Sequence, residues 1–142
     1  MIAVFISIVL VAATILIHYE ALRMTSRSFV HWKIPVRARI IVVLAVAQMS
    51  HALQVLLYAL VYLWLHHLDG NEFISGAENF NLENAFYFSI SSYTTLGIGD
   101  LVPQGQLRII SGVEALNGLV MVGWTASFTY LTMEKFWHLH RH

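Results

Sequence analysis

The hydrophobic positions of the chain are grouped in long blocks that short polar stretches separate. Three of these blocks, residues 1–22, 40–66 and 107–135, are mainly apolar and long enough to cross a bilayer as helices, which takes about 20 residues each. A fourth block, 82–94, is too short to cross, and Asn81 precedes it as a suitable helix N-cap. The pattern therefore predicts an all-α membrane protein with three transmembrane helices and one half-length helix that enters the membrane and returns.

The composition agrees with a single membrane domain over residues 1–142, because 58% of the residues are hydrophobic and only 11% are charged. The chain has no cysteine, which excludes disulfides and thiolate metal sites. Its formal net charge of zero gives no indication of a nucleic-acid partner. Because residues 1–22 lack a basic start, we interpret them as a retained span and not as a cleaved signal sequence.

Charged residues differ between the two sides of the predicted spans. Basic residues occupy the connection 23–39 and follow the last span, namely Arg23, Arg27, Lys33, Arg37, Arg39, Lys135 and Arg141. The connection between the second and third spans is mainly acidic, with Asp69, Glu72, Glu78, Glu83 and Asp100, opposed by Arg108. Because basic connections stay in the cytoplasm, the N-terminus is expected outside, the C-terminus inside, and the short helix to enter from outside. The cell membrane is the expected location.

The sequence TTLGIGD, residues 94–100, follows the half-length helix. Irregular backbone at membrane depth is tolerated only inside protein or against a water-filled cavity. Gly97 and Gly99 permit left-handed backbone angles, and their alternation with Leu96 and Ile98 can turn successive carbonyl groups toward one side. Since stacked rings of carbonyl oxygens replace the water shell of a cation, the loop predicts a cation pathway that a cyclic oligomer completes.

The stretch TTLGIGD, followed by LVP, resembles the filter signature of the tetrameric potassium channels, which usually reads Thr-Val-Gly-Tyr-Gly-Asp. The resemblance covers about residues 40–135 and leaves one extra span before them. It implies a homotetramer around one pore, with outer helix 40–66, pore helix 82–94, filter 95–100 and inner helix 107–135. The implied ion-binding residues are Thr95, Leu96, Gly97, Ile98 and Gly99, with K⁺ held at the first four and Asp100 at the outer mouth.

Three positions depart from the usual pattern of that family. Leu96 replaces valine and keeps the backbone role, whereas Ile98 replaces the tyrosine whose hydroxyl commonly bonds to the pore helix. Ser91 stands where a glutamate is frequent. Two hypotheses therefore remain open for the pore: a channel that conducts K⁺ selectively and passively, and a weakly selective or nonselective monovalent cation channel.

Two interpretations outside the channels account for part of the same sequence. A Gly-x-Gly pair also forms a structural turn in membrane proteins of other classes. Gly97 to Asp100 also fits the Gly-x-Gly-Asp signature of intramembrane aspartyl proteases, but that chemistry needs a second aspartate, and the other one is Asp69 in the outer connection. We therefore expect no enzymatic activity and no cofactor besides permeant K⁺, and the sequence names no regulatory partner.

The third span contains candidate residues for a gate. Gly118 falls near the hinge glycine of the family, and helix packing through small residues is the alternative role. Val122 and Ala126 follow at helical spacing, continued by Thr129 or Tyr130, and are predicted to line the cavity below the filter.

Polar side chains inside the predicted spans cost free energy in the membrane unless they have hydrogen-bond partners. For Glu114 and Asn117 we favour hydrogen bonds behind the filter, with direct ion contact as the alternative. The second span contains a polar line, Gln48, His51 and Gln54, for which we expect bonds between helices rather than proton sensing. The first span lacks the repeated arginines of a voltage sensor and is expected to pack on the outside of the pore. A solvated tail is expected for His138, His140 and His142, with metal binding as the alternative.

Overall fold

The computed structural model describes residues 1–28, 35–68, 74–76 and 79–138. Its helices are α1 (Ile2–Ser28), α2 (Val36–Leu68), α3 (Leu82–Tyr93) and α4 (Leu107–His138). Two short strands, β1 (Ile74–Ser75) before α3 and β2 (Val102–Pro103) after it, form an antiparallel pair. The sequence pattern did not predict these strands. Several residues named above for their charge or as candidate metal ligands lie outside the described residues: Lys33, Asp69, Glu72, Glu78, His140, Arg141 and His142.

Three of the helices, α1, α2 and α4, are long and apolar enough to cross a membrane, which confirms the predicted all-α membrane fold with three transmembrane helices. The helices extend beyond the predicted spans where the basic connection 23–39 was expected, because α1 continues to Ser28 and α2 already begins at Val36. Hydropathy marks the part of a helix that lies in hydrocarbon and not the point where hydrogen bonding ends. In the last turns of α1, Arg23 bonds to Glu20 at 2.7 Å, and the Thr25 hydroxyl donates to the carbonyl of Ala21.

The short helix α3 begins and ends close to its predicted bounds. The side chain of Asn81 accepts a hydrogen bond from the backbone N–H of Asn84 at 2.9 Å, which confirms the predicted N-cap. The helix ends at Tyr93, one residue earlier than predicted, and Thr94 is its C-cap. Because α3 packs against both α2 and α4, the loop that follows it starts between the two long helices.

The helix α1 packs against α2 and α4 of its own chain. Its buried residues recur every three or four positions and include several small or polar side chains: Ala3, Ser7, Leu10, Thr14, His18, Leu22 and Thr25. Small side chains let two helix backbones approach closely, and polar ones hydrogen-bond across the contact. The extra N-terminal helix is therefore joined to the predicted inner helix by side-chain bonds that the sequence did not reveal.

Candidate ion-conducting site

Every second residue of the loop after α3 has a left-handed backbone conformation. Thr95 has a φ of 58°, Gly97 of 56° and Gly99 of 88°, while Leu96 and Ile98 between them are not in this left-handed region. The alternation that the two glycines predicted is present, and it includes Thr95, which the sequence did not indicate. A non-glycine residue rarely adopts a positive φ, so the surrounding bonds must hold Thr95 in place.

Those bonds come from the last turn of α3. The carbonyl oxygen of Ser91 accepts from the N–H of Leu96 at 2.9 Å and from that of Gly97 at 3.3 Å. The Ser91 hydroxyl accepts from the N–H of Ile98 at 3.4 Å, and the Ser92 carbonyl accepts from Thr95 at 3.0 Å. Ser91, at the place of the frequent glutamate, therefore anchors the loop itself.

The carbonyl oxygens of the same residues have no such partners. In the part of the chain that the structure describes, no hydrogen bond ends on the carbonyl groups of Thr95, Leu96, Gly97 or Ile98. With the amide N–H groups bonded to α3, each carbonyl group remains available to a ligand. Four consecutive unpaired oxygens suit a cation that has lost its water shell.

The loop is exposed in the single chain although its flanking helices are apolar. The side chains of Leu96 and Ile98 are 65% and 55% exposed. On the other side of the loop, a cavity of about 220 Å³ lies between the loop, α3 and α4, and Ser92 and Ser111, whose hydroxyl groups are 3.1 Å apart, line part of it. The outer end of the loop is held by Asp100, whose carboxylate accepts from the N–H of Leu101 at 2.9 Å and interacts with the Tyr87 hydroxyl.

Gly118 on α4 lies against the end of α3. A β-carbon at this position would be 2.1 Å from the carbonyl oxygen of Tyr93 and 2.9 Å from its carbonyl carbon. The helix α4 is continuous through Gly118, so the structure supports the packing role, and the hinge stays a prediction. Val122 and Ala126, on the following turns, are exposed in the single chain, and no contact tests their predicted place in a cavity wall or gate.

Glu114 and Asn117 both bond to neighbouring helices, as favoured from the sequence. The buried carboxyl group of Glu114 is 2.6 Å from the Ser89 hydroxyl on α3 and 2.5 Å from the Tyr62 hydroxyl on α2. Asn117 donates to the Thr14 hydroxyl on α1 at 2.9 Å. The Ser89 hydroxyl also lies 2.8 Å from the Val55 carbonyl oxygen. Because the hydroxyl has one proton, it can donate to only one of these two oxygens. Both contacts are hydrogen bonds when Ser89 donates to Val55 and a protonated Glu114 carboxyl group donates to Ser89.

The predicted polar line of α2 is divided by the structure. His51 and Gln54 bond to other helices, whereas Gln48 is exposed on the single chain. Their partners include three residues that the sequence analysis missed, namely His18, Tyr93 and Thr125. The available signal was the isolated occurrence of polar residues in apolar spans, since each must find a partner there.

A short helix that ends in an anchored loop with unpaired carbonyl oxygens, packed between two long apolar helices, is the arrangement expected of a pore-forming membrane protein. A family model described as "Ion channel" matches residues 50–135, more than half of the chain. The chain therefore belongs to this ion-channel family, whose members have the two-helix potassium-channel pore domain, and the resemblance inferred from the filter is confirmed. No match is found among curated proteins or among solved structures. Within the described residues, no group of histidines and carboxylates is arranged to hold a metal ion.

Proposed function

We propose that this chain forms a homotetrameric channel that conducts K⁺ passively and selectively through residues 95–99. The observation that supports this proposal most directly is the alternating backbone of Thr95, Gly97 and Gly99, with the N–H groups bonded to α3 and the carbonyl oxygens unpaired. Membership of a channel family supports transport rather than the proteolysis that the Gly-x-Gly-Asp stretch also allowed. Asp69, the second aspartate which that chemistry needs, lies outside the described residues.

The exposure of the loop supports the tetramer. Irregular backbone is not stable against lipid, so a loop of this kind at membrane depth needs protein or water around it. In the single chain, residues 94–100 are all exposed. In a ring of copies, neighbouring chains cover the exposed side chain of Ile98. The carbonyl oxygens of the loop then face a shared aqueous axis. The α3–loop–α4 unit enters the membrane from the outside in this arrangement.

The selectivity proposal rests on how the loop is anchored. Ile98 lacks the tyrosine hydroxyl of the usual signature, but its N–H bonds to the Ser91 hydroxyl, and two further N–H groups of the loop bond to the Ser91 carbonyl. A single neutral hydrogen bond contributes about 1 kcal/mol, so these contacts can offset one lost bond. The alternative, a weakly selective cation channel, is favoured if the width of the loop depends on the tyrosine hydroxyl.

For the selectivity of the pore, we expect the parent protein to prefer K⁺ over Na⁺ and Ile98→Tyr to leave that preference unchanged or to increase it. The measurement is the reversal potential under bi-ionic K⁺ and Na⁺, with purified protein in lipid bilayers. Leu96→Val is the matched control, because it restores the usual residue at a neighbouring exposed position without adding a hydroxyl. A reversal potential near zero in the parent would assign the protein to the nonselective cation channels.

The orientation, with the N-terminus outside and the C-terminus in the cytoplasm of the cell membrane, follows from the distribution of charge. We expect Ser75→Cys, in strand β1 between α2 and α3 in the chain, to react with a membrane-impermeant thiol reagent in intact cells. Ser28→Cys, at the end of α1, should react only after the inner face is opened. Since the parent has no cysteine, the parent is the blank. Reaction of position 28 in intact cells would reverse the proposed orientation.

A further inference from the structure

A closed ring of hydrogen bonds joins the four helices next to the filter. His18 of α1 contacts Gln54 of α2 through its Nδ1, at 3.3 Å, and Thr125 of α4 through its Nε2, at 3.1 Å. The Thr125 hydroxyl is 2.9 Å from Nε2 of His51, whose Nδ1 is 2.8 Å from the Tyr93 hydroxyl of α3. Tyr93 closes the ring by donating to the side-chain oxygen of Gln54 at 2.8 Å.

The hydrogen bonds of this ring are all donated in the same direction around it. The Gln54 amide donates to Nδ1 of His18, directly and through Ser50, whose hydroxyl lies 3.2 Å from the amide nitrogen and 3.1 Å from the ring nitrogen. His18 then donates from Nε2 to Thr125, and the Thr125 hydroxyl donates to Nε2 of His51. His51 donates from Nδ1 to Tyr93, which donates to Gln54. Along this circuit each histidine donates from one ring nitrogen and accepts at the other, so both histidines are neutral.

The neutrality of the histidines does not depend on the orientation of the Gln54 amide. If the amide is turned over, every bond reverses its direction and the ring again closes with one proton on each imidazole. In either direction the two histidines are opposite tautomers, because one Nε2 donates to the Thr125 hydroxyl and the other accepts from it. An additional proton on either imidazole turns its acceptor nitrogen into a donor and breaks one bond of the ring.

Few ionisable groups face the two imidazoles. The rings face each other, with centroids 5.0 Å apart, so a positive charge on one opposes a charge on the other. The helix α3 contributes Tyr93, which bonds to His51. Tyr58 on α2 and Glu114 on α4 lie near Tyr93, and neither contacts an imidazole within the described residues. His18 is fully buried, and Trp124 covers one edge of it.

Tyr93 connects this ring to the filter. It is the last residue of α3, two residues before Thr95, and its carbonyl oxygen lies against Gly118 of α4. Its hydroxyl bonds to His51 and Gln54 of α2, and its aromatic ring packs in a small apolar cluster between α2 and α4. When the ring of hydrogen bonds opens, the hold of α2 on the Tyr93 hydroxyl is weakened, and the loop anchored to Ser91 starts from a less defined position.

We propose that this ring is a proton-sensitive latch: with both histidines neutral it holds Tyr93 and the start of the filter in the conducting position, and protonation of either histidine opens it and lowers conduction. His18, His51 and Thr125 are then positioning residues that act on the filter through Tyr93. The inference rests on the proposed channel function. It gives the extra helix α1 a role in regulation, since α1 supplies His18.

The test is the K⁺ current of the tetramer in bilayers as the solution on both sides is changed from about pH 8 to about pH 4, a range that extends below the usual titration range of histidine because His18 is buried and the two rings face each other. Loss of one ordinary hydrogen bond changes an equilibrium by about fivefold, so we expect the parent current to fall about fivefold or more. His51→Gln and His18→Gln supply one donor and one acceptor without titrating. For each variant, the current relative to its own value at about pH 8 should stay nearly flat.

The control is His67→Gln, which removes a histidine that is exposed at the end of α2 and that bonds, among the described residues, to the Leu63 carbonyl. It should keep the full pH response of the parent. A parent current that does not fall with acid, or an equal fall in the His51 and His18 variants, would overturn the latch while leaving the channel intact. Absence of K⁺ current from the parent at every pH would instead contradict the proposed function.

A second measurement does not require conduction and so remains informative if a variant fails to assemble. Nitrogen-15 spectra of histidine-labelled protein in bilayers distinguish neutral from charged imidazole and one tautomer from the other. At about pH 8 we expect His18 and His51 to be neutral and opposite tautomers, assigned by the loss of one signal set in each variant. Thr125→Val, which removes the shared hydroxyl, should abolish the fixed tautomers. Two identical tautomers, or a charged imidazole in the conducting protein, would overturn the proposal.

Discussion

Gly118→Ala is expected to abolish K⁺ current and to lower the thermal stability of the assembled protein. The added methyl group would be 2.1 Å from the Tyr93 carbonyl oxygen and 3.0 Å from the first carbon of the Tyr93 ring. The obstructing atoms belong mainly to backbone, so the methyl group fits only if the end of α3 moves away from α4. Overpacking of this kind typically costs about 1 to 3 kcal/mol, here in every subunit. Current and melting temperature are the two measurements.

The two roles considered for Gly118 give opposite results for stability. If the residue serves only as a hinge, alanine should raise stability, since it is favoured over glycine in a helix interior by about 1 kcal/mol. Gly112→Ala and Gly123→Ala are matched controls on the same helix, because a β-carbon there meets nothing within 4 Å in the chain. A melting temperature for Gly118→Ala at or above that of these controls would refute the packing role.

The sequence was sufficient to predict the membrane-spanning helices, the capped start of α3 and the left-handed glycine positions of the loop. Three apolar blocks predicted three long helices, because in lipid each backbone polar group must bond within its own segment. The short block after Asn81 predicted α3 and its cap, since a capping side chain acts within three residues. Gly97 and Gly99 predicted the left-handed positions of the loop, because L side chains resist that angle.

Features that depend on distant partners were not predictable in the same way. The left-handed Thr95 bonds to Ser92, and the two residues after it bond to Ser91; these bonds are local, but no property of threonine itself indicates the conformation. The pairing of His18 with Thr125 joins residues 107 positions apart, and no local pattern specifies which polar residue of one span meets which of another. The end of α1 and the start of α2, which lie in the basic connection, were not predicted. The reason is that the hydropathy of the sequence falls before the helical hydrogen bonding ends.

The role of Ser91 shows how a departure from a family pattern can still keep the geometry. A serine side chain is shorter than that of glutamate, and in the structure Ser91 bonds to the loop residues directly beside it. Asp100 at the mouth is engaged by the Tyr87 hydroxyl, one turn earlier on α3 than Ser91. Ser91 therefore anchors the loop, and Tyr87, on the same helix face, lies near the carboxylate at its outer end.

Gly97→Ala is expected to abolish current while the protein still assembles. The φ of Gly97 is 56°, and a β-carbon there meets nothing within 4 Å in the chain, so the substitution tests the backbone angle and not the available space. An L-residue is disfavoured in this region by about 1 to 2 kcal/mol, and every subunit around the pore bears the penalty. The loop is expected to relax by turning the peptide that precedes or follows position 97, which moves a carbonyl oxygen away from the ion path. Current in bilayers and the oligomer size in mild detergent are the measurements.

Gly105 separates the effect on the filter from the general penalty for a left-handed alanine. Its φ of 53° is nearly that of Gly97, but it lies in an exposed turn just before α4, outside the loop of residues 95–99. Gly105→Ala should therefore lower stability by a similar amount, about 1 kcal/mol per subunit, and leave the K⁺ over Na⁺ preference as in the parent. Loss of current in both variants would attribute the effect to folding. Parent-like current in Gly97→Ala would show that ions do not pass along this loop, since a carbonyl ladder cannot keep its spacing when the residue at its centre is driven out of the left-handed region.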